Sequence, residues 1–109
     1  MPTVYKVLGQ AKPSAATLTS LYTVPASTSA IISTLTVCNT TSSADEIRIA
    51  VRPAGASISD EHYVVHTVGV PPFTNYTYTL GITLATTDVV SVYGLGGNIS
   101  FSIFGTEIS

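Results

Sequence analysis

Charged residues are scarce in this sequence of 109 residues. Asp, Glu, Lys and Arg together make up 9% of the chain, against about 25% in an average soluble domain. Only four residues are cations and the formal net charge is -2, so the composition gives no basic footprint for a nucleic-acid backbone. We therefore expect no binding to DNA or RNA.

Cysteine and long apolar runs are rare as well. The single cysteine, Cys38, excludes an intrachain disulfide and cannot build a zinc site by itself. Its position at the end of an apolar strand pattern predicts a half-buried, unreactive thiol. No run approaches about 18 apolar residues, and the first residues lack the apolar core of a signal peptide. We expect neither a membrane span nor secretion through a signal peptide.

Hydroxyl side chains are abundant where charge is missing. Ser and Thr account for 30 of the 109 residues, so we expect a surface made largely of hydroxyl and small apolar groups. Such a surface repels neighbouring molecules only weakly. The composition therefore favours a protein that packs densely against other protein.

Apolar and polar residues alternate with period two along most of the chain, and helical periodicity is absent. In the segment EIRIAVR, Ile47, Ile49 and Val51 predict a buried face, with Arg48 and Arg52 on the outward face. Turn signals rich in Pro, Gly and Asn separate the predicted strands. These strands are 17–24, 31–37, 46–52, 62–68, 74–80, 89–94 and 98–105.

Two of these strands carry more specific expectations. In the first, Ile31, Leu35 and Val37 share one face, with Ser33 as the exception, which predicts that the three apolar residues are buried. In the strand 74–80, three residues share one face, and we expect them to pack in the core rather than to stack on a sugar or base. The residues of this second set are Tyr76, Tyr78 and Leu80.

Seven or eight short strands separated by turns predict an all-β fold, a single antiparallel β-sandwich of jelly-roll or immunoglobulin-like type. We assign residues 17–109 to this domain. Residues 1–16 differ in composition, because the mixed apolar and basic run VYKVL is followed by Gly9 and Pro13. We expect them to form an N-terminal arm outside the sandwich that leads into the first strand.

Few residues could carry catalytic or metal chemistry. The segment DEHYVVH offers metal-ligand types, but His62 and His66 on one strand would lie about 13 Å apart, too far to share a zinc ion whose ligands lie within roughly 2.1 Å. The segment GLGGN connects two strands, which indicates a hairpin turn rather than a phosphate cradle. No nucleophile elbow, P-loop or dinucleotide fingerprint occurs. We predict a protein that is not an enzyme, with no catalytic site, no metal and no cofactor; a small hydrolase or metal enzyme is the weakest alternative.

Several segments carry a resemblance to a known group of proteins. The pieces KVLGQ, LYTVPA, VCN and VRPAG, within a stretch from about Lys6 to Phe104, resemble small virion proteins of tailed bacteriophages, including phages of cyanobacteria and other aquatic bacteria. These pieces are signatures of fold and lineage rather than of chemistry.

The resemblance implies a structural role on the virion. We expect a capsid decoration or cement protein bound to the lattice of the phage major capsid protein on the outer surface of the head. It would self-associate or occur in multiple copies there, after synthesis in the cytoplasm of the bacterial host. The alternative is a tail, baseplate or fibre module, with host glycans as candidate ligands.

The four cations suggest which residues form the interface, because they fall into two pairs along the chain. We predict that Arg48 and Arg52 meet carboxylates of the capsid subunit, while the N-terminal arm adds an extended segment to a neighbouring sheet edge. The arm residues predicted at this interface are Tyr5, Lys6, Val7 and Leu8. The alternative is that the cations only keep the protein soluble.

Overall fold

A computed structural model describes residues 3–79 and 81–109, and nine strands account for most of this part of the chain. The strands are β1 (Thr3–Ala11), β2 (Thr19–Thr23), β3 (Ser29–Asn39), β4 (Asp45–Arg52), β5 (Tyr63–Val70), β6 (Asn75–Tyr78), β7 (Ile82–Leu84), β8 (Val89–Gly94) and β9 (Ile99–Ile108). Two short 3-10 turns, Pro53–Gly55 and Asp60–His62, lie between β4 and β5. Among the described residues, no helix is long and apolar enough to cross a membrane.

The strands form two antiparallel sheets that pack face to face. One sheet has the order β1-β9-β3-β6, with β7 also paired to β3, and the other has the order β2-β8-β4-β5. The chain passes to the other sheet after most strands, for example from β1 to β2, β3 to β4 and β8 to β9. The predicted all-β antiparallel sandwich is therefore confirmed, and this repeated crossing is the connectivity of a jelly roll rather than of an immunoglobulin domain.

The hydrophobic core lies between the two sheets and draws on both. Its largest fully buried side chains include Phe101, Ile32, Leu35, Ile47, Ile49, Leu84, Ile99 and Ile103. The predicted burial of Ile47 and Ile49 is confirmed, whereas Val51 at the end of β4 is only half-buried. Ala50 faces the opposite way but is also fully buried, because Ser91 and Tyr63 flank it on the neighbouring strands.

A β-bulge in β3 overturns part of the predicted burial. The register with β9 shifts between Ile32 and Thr34, so the side chains before Ser33 alternate in the opposite phase to those after it. Ile31 is consequently 40% exposed, and its neighbour Ile32 is buried in its place. The prediction of a buried Ile31 is wrong for this reason, while those for Leu35 and Val37 are confirmed.

The N-terminal segment is a strand of the sandwich and not an arm outside it. Residues 3–11 form β1, which pairs with β9 at eight positions along its length. Backbone N–H and C=O groups gain hydrogen-bond partners in this pairing, and Leu8 and Ala11 pack against the core. Gly9 lies so close to β2 that an added Cβ would sit 2.5 Å from the Leu21 carbonyl oxygen. The expectation of a separate arm is corrected accordingly.

The two tyrosines of β6 pack against the core, as the sequence pattern predicts. Tyr76 and Tyr78 are half-buried against the core, as predicted. Burial raises the pKa of the Tyr78 phenol, and the neighbouring Tyr76 raises it further. Leu80, the third residue of that pattern, lies outside the described residues. Cys38 is half-buried, as expected, and unpaired.

Candidate protein interface

The outward face of the four-stranded sheet carries an arginine held on an aromatic ring. The Arg48 guanidinium carbon lies 4.7 Å from the centroid of the Tyr93 ring, within the range of a cation–π contact. Tyr93 is its partner on β8, and His66 is its partner on β5. Among the described residues, the Arg48 side chain has neither an ion pair nor a hydrogen bond. Its N–H groups can therefore bind an acceptor on another molecule.

Arg52 lies on the same face but is bound within the chain. Its Nε donates to Ser91 Oγ at 3.1 Å, one terminal nitrogen donates to the Ala56 carbonyl at 3.1 Å, and the other to Ser20 Oγ at 3.3 Å. Ser91 is only 1% exposed, so its hydroxyl depends on this arginine. The side chain connects β4 to β8 and β2, which leaves it less able than Arg48 to bind a partner.

A bulge in β5 positions the histidine next to Arg48. The register shifts at Thr67, which adopts a φ of 57°, a conformation that β-branched residues rarely take. The Thr67 hydroxyl lies 2.8 Å from His66 Nδ1, and the His66 ring meets Tyr63 edge-on at 4.8 Å. Together with Asp60, these two rings line an open cavity of about 370 Å³. The surface around Arg48 thus combines cationic, aromatic and acidic groups.

The other histidine lies outside this cluster. His62 Nδ1 accepts a hydrogen bond from the Ser59 backbone N–H at 3.2 Å. The Ser59 hydroxyl donates to Glu61 and lowers the pKa of that carboxyl. Within residues 3–79 and 81–109, no group of three or more His, Cys, Asp or Glu side chains is arranged to hold a metal ion.

The free edge of β1 is the second candidate surface. In this part of the chain no strand pairs with the edge of β1 that faces away from β9. Tyr5 is 81% exposed, Val7 49% and Val4 47%, so apolar side chains line an edge that could accept another strand. Leu8, by contrast, packs against the core.

Lys6 is held by an ion pair near this edge. Its Nζ lies 2.8 Å from Glu107 Oε1, and the Tyr22 hydroxyl donates to Glu107 Oε2 at 2.6 Å. The Lys6 contact, followed by the Tyr22 hydrogen bond, lowers the pKa of the Glu107 carboxyl. Burial, assisted by the same carboxylate, raises the pKa of the Tyr22 phenol. Lys6 therefore ties β1 to the sandwich, and its charge is largely neutralised.

The two predicted contact regions face opposite directions. Glu107 contacts the core residue Tyr22, so Lys6 beside it points to the inner side of its sheet and Tyr5 points outward. Arg48 points outward from the other sheet, because the residues on either side of it face the core. The structure therefore does not bring the predicted interface residues together.

The Gly-rich turn is stabilised by a carboxylate that the sequence did not identify. Asp45 is 6% exposed and accepts backbone N–H groups from Glu46, Gly96 and Asn98 at 2.7, 2.7 and 3.1 Å. The predicted hairpin is wrong, since GLGGN joins β8 to β9 in different sheets. No local signal marks Asp45, because two of its partners lie 51 and 53 residues away in sequence.

Comparison with known proteins adds no assignment to these surfaces. No family model, no curated protein and no solved structure matches the chain. The function is therefore argued from the two surfaces and from the sequence.

Proposed function

We propose that this protein is a bacteriophage virion structural protein that decorates the capsid, bound to the major capsid protein on the outer surface of the head. The observation that carries the proposal is the placement of two contact elements on opposite sides of one small sandwich. One is Arg48, which rests on Tyr93 and has no ion pair or hydrogen bond within the described residues. The other is the apolar edge of β1, with which no described strand pairs on the side away from β9. A molecule built in this way can bridge two neighbouring subunits of a lattice.

The chemistry of each element defines a partner group. Arg48 is suited to a carboxylate on the capsid subunit, because a planar guanidinium can donate two parallel hydrogen bonds to it. The edge of β1 is suited to an extended segment of a neighbouring subunit, which would supply main-chain hydrogen bonds. Each contact can be weak, because many copies bound to one lattice hold it together collectively.

The fold and the surface composition support the same proposal. Jelly rolls are common in viral capsid and lectin domains, although fold alone does not fix function. The outward face of the five-stranded sheet is uncharged at its centre, where Thr34 and Thr36 on β3 lie beside Phe104 and Ser102 on β9. Such a face can approach other protein without desolvating charge. We propose no enzymatic activity, no nucleic-acid partner and no membrane partner.

Quantitative mass spectrometry of purified virions tests the assignment. We expect a copy number comparable with that of the major capsid protein, and immunogold labelling over the outer surface of heads. A handful of copies per virion, or labelling confined to tails, would contradict it.

A tail, baseplate or fibre module that binds host glycans is the second candidate. The observation in its favour is the cavity lined by Asp60, Tyr63 and His66, since a carboxylate and an imidazole beside an aromatic ring suit sugar hydroxyls. Glycan-array binding that is lost in Asp60→Asn, together with tail labelling, would support this candidate. An array without signal and labelling of heads would eliminate it.

A further inference from the structure

The register of the four-stranded sheet places His66 directly opposite Arg48. His66 is the partner of Arg48 on β5, and Tyr93 is its partner on β8. The residues next to them in the chain, Ile49 and Val65, face the core, so the side chains of Arg48 and His66 point outward on the same face. Opposite residues on one face have Cβ atoms about 5 Å apart. A guanidinium and an imidazole are therefore neighbours on this surface.

The His66 ring is held on one side and open on the other. Its Nδ1 lies 2.8 Å from the Thr67 hydroxyl, and its ring meets the Tyr63 ring edge-on at 4.8 Å. Among the described residues, the contact with Thr67 is the one hydrogen bond found for this ring, so Nε2 can bind another molecule. A side chain already oriented in this way loses little further freedom on binding.

The charged and titratable groups around the His66 ring come from each neighbouring element. They are Glu46 and Arg48 on β4, Tyr93 on β8, Tyr63 on β5 and Asp60 in the turn before β5. Asp60 and His66 line the same open cavity. An imidazole is the side chain that ordinarily changes its charge between about pH 5 and 8. The charge of this surface therefore depends on pH through His66.

We infer that His66 and Arg48 together bind one carboxylate of the partner, and that protonation of His66 strengthens this contact. The inference rests on the proposed function, since it concerns the carboxylate contact assigned there to Arg48. The guanidinium donates to one carboxylate oxygen, and the imidazolium Nε2–H donates to the other. Both hydrogen bonds are charge-assisted, whereas a neutral imidazole supplies a weaker one.

The affinity of this contact should rise as the pH falls. In the free protein the Arg48 guanidinium opposes a second positive charge on His66, and a bound carboxylate offsets that repulsion. The complex therefore binds more protons than the free protein, so binding tightens as the pH falls from about 8 to about 5. Asp60 attracts the same proton in the free protein and in the complex alike, and for this reason it does not make binding depend on pH.

Titration of the purified protein with acetate tests the inference without particles. Acetate replaces chloride at constant ionic strength, and NMR follows the signals of the Arg48 side chain and the His66 ring. We expect both signals to shift along one binding curve. The Kd for ionised acetate should be about fivefold lower at ~pH 5.5 than at ~pH 7.5.

Three variants identify the titrating group. His66→Gln should lose the pH dependence, and His66→Lys, which keeps a positive charge, should bind acetate equally tightly at both pH values. His62→Gln is the matched control, because His62 is bound to the Ser59 backbone N–H outside this surface, and it should behave like the wild type. Denaturant melts at both pH values should show that all three variants are folded.

Co-sedimentation with particles that lack the protein extends the test to the proposed partner. Wild type, measured relative to His66→Gln, should attach about fivefold more tightly at ~pH 5.5 than at ~pH 7.5. Attachment with no such difference would overturn the inference and leave the capsid role standing. Absence of attachment at every pH would contradict the capsid role, and the acetate titration would then decide the inference.

Two results of the acetate titration would overturn the inference by themselves. One is a shift of the Arg48 signals without a shift of the His66 ring, or an equal Kd at both pH values. The other is a pH dependence that disappears in Asp60→Asn, since the histidine would then respond to Asp60 and not to the bound carboxylate.

Discussion

Arg48 and Arg52 occupy equivalent positions in the alternation of β4, yet their surroundings differ. Arg52 makes three hydrogen bonds, one of them to the buried Ser91 hydroxyl, whereas Arg48 rests on the Tyr93 ring. We expect Arg52→Ala to lower the free energy of unfolding by about 1–2 kcal/mol, and Arg48→Ala by less than about 1 kcal/mol. Urea melts of the two variants measure the difference. Equal or reversed effects would show that the Arg52 hydrogen bonds do not stabilise the fold more than the contact of Arg48 with Tyr93 does.

The buried face of β4 gives a prediction about its register. Ile49 is fully buried while Val51, two residues on, is half-buried. Ile49→Ala should destabilise the domain by about 2–5 kcal/mol, because it leaves a cavity between the sheets. Val51→Ala should cost clearly less in the same melts. If the order were reversed, the strand would be shifted from the register described above.

Glu107 should make the stability of the sandwich depend on pH. Its pKa is lowered from 4.5, chiefly by Lys6 and then by Tyr22, so the folded state favours the ionised carboxylate. The stabilisation is therefore full above pH 4.5 and is lost as the pH falls through the lowered folded pKa. We expect wild type and Glu107→Gln to differ in unfolding free energy near neutral pH and to converge in acid. A difference that stays constant from neutral pH into acid would contradict this account.

At the scale of elements, the sequence predicted most strands but not their irregularities. Period-two alternation predicts seven strands, and each has a counterpart in the structure. It does not predict β1, because apolar and basic residues mix there, or β7, which is only three residues long. The bulges in β3 and β5 arise from pairing with distant strands, so no local pattern could have revealed them.

The close approach of β1 to β2 depends on the absence of a side chain at Gly9. At Gly9 an added Cβ would lie 2.5 Å from the Leu21 carbonyl oxygen, whereas at Gly69 it would meet no atom within 4 Å. Gly9→Ala must push β1 away from β2 and should destabilise the domain by about 2 kcal/mol or more. Gly69→Ala, the matched control, should be neutral or slightly stabilising, because alanine restricts the unfolded chain. Similar thermal melts for both variants would argue against the tight contact.

At the scale of the whole molecule, the candidate interface was only partly predictable. Period-two alternation placed Arg48 on an outward face, and the structure agrees. Its neighbours Tyr93 and His66 come from strands far away in sequence, so their contacts with Arg48 could not be inferred. The separation of Arg48 from the edge of β1 likewise follows from the crossing of the chain between sheets.

This separation yields a prediction about attachment to particles. Arg48→Gln removes the unpaired cation, and Val7→Lys places a charge on the exposed edge of β1, which disfavours strand addition. The two sites share no side chain and lie on opposite sides of packed sheets, so their effects on the binding free energy should add.

Co-sedimentation with particles that lack the protein, over a range of salt, measures each variant and the double variant. Arg48→Gln should also reduce the salt dependence of binding, because it removes a charge from the contact. Glu61→Gln, which removes a charge from an exposed side chain that belongs to neither surface, serves as the control. Unchanged binding by both single variants would exclude these surfaces, and a double variant no weaker than the weaker single one would exclude independent contacts.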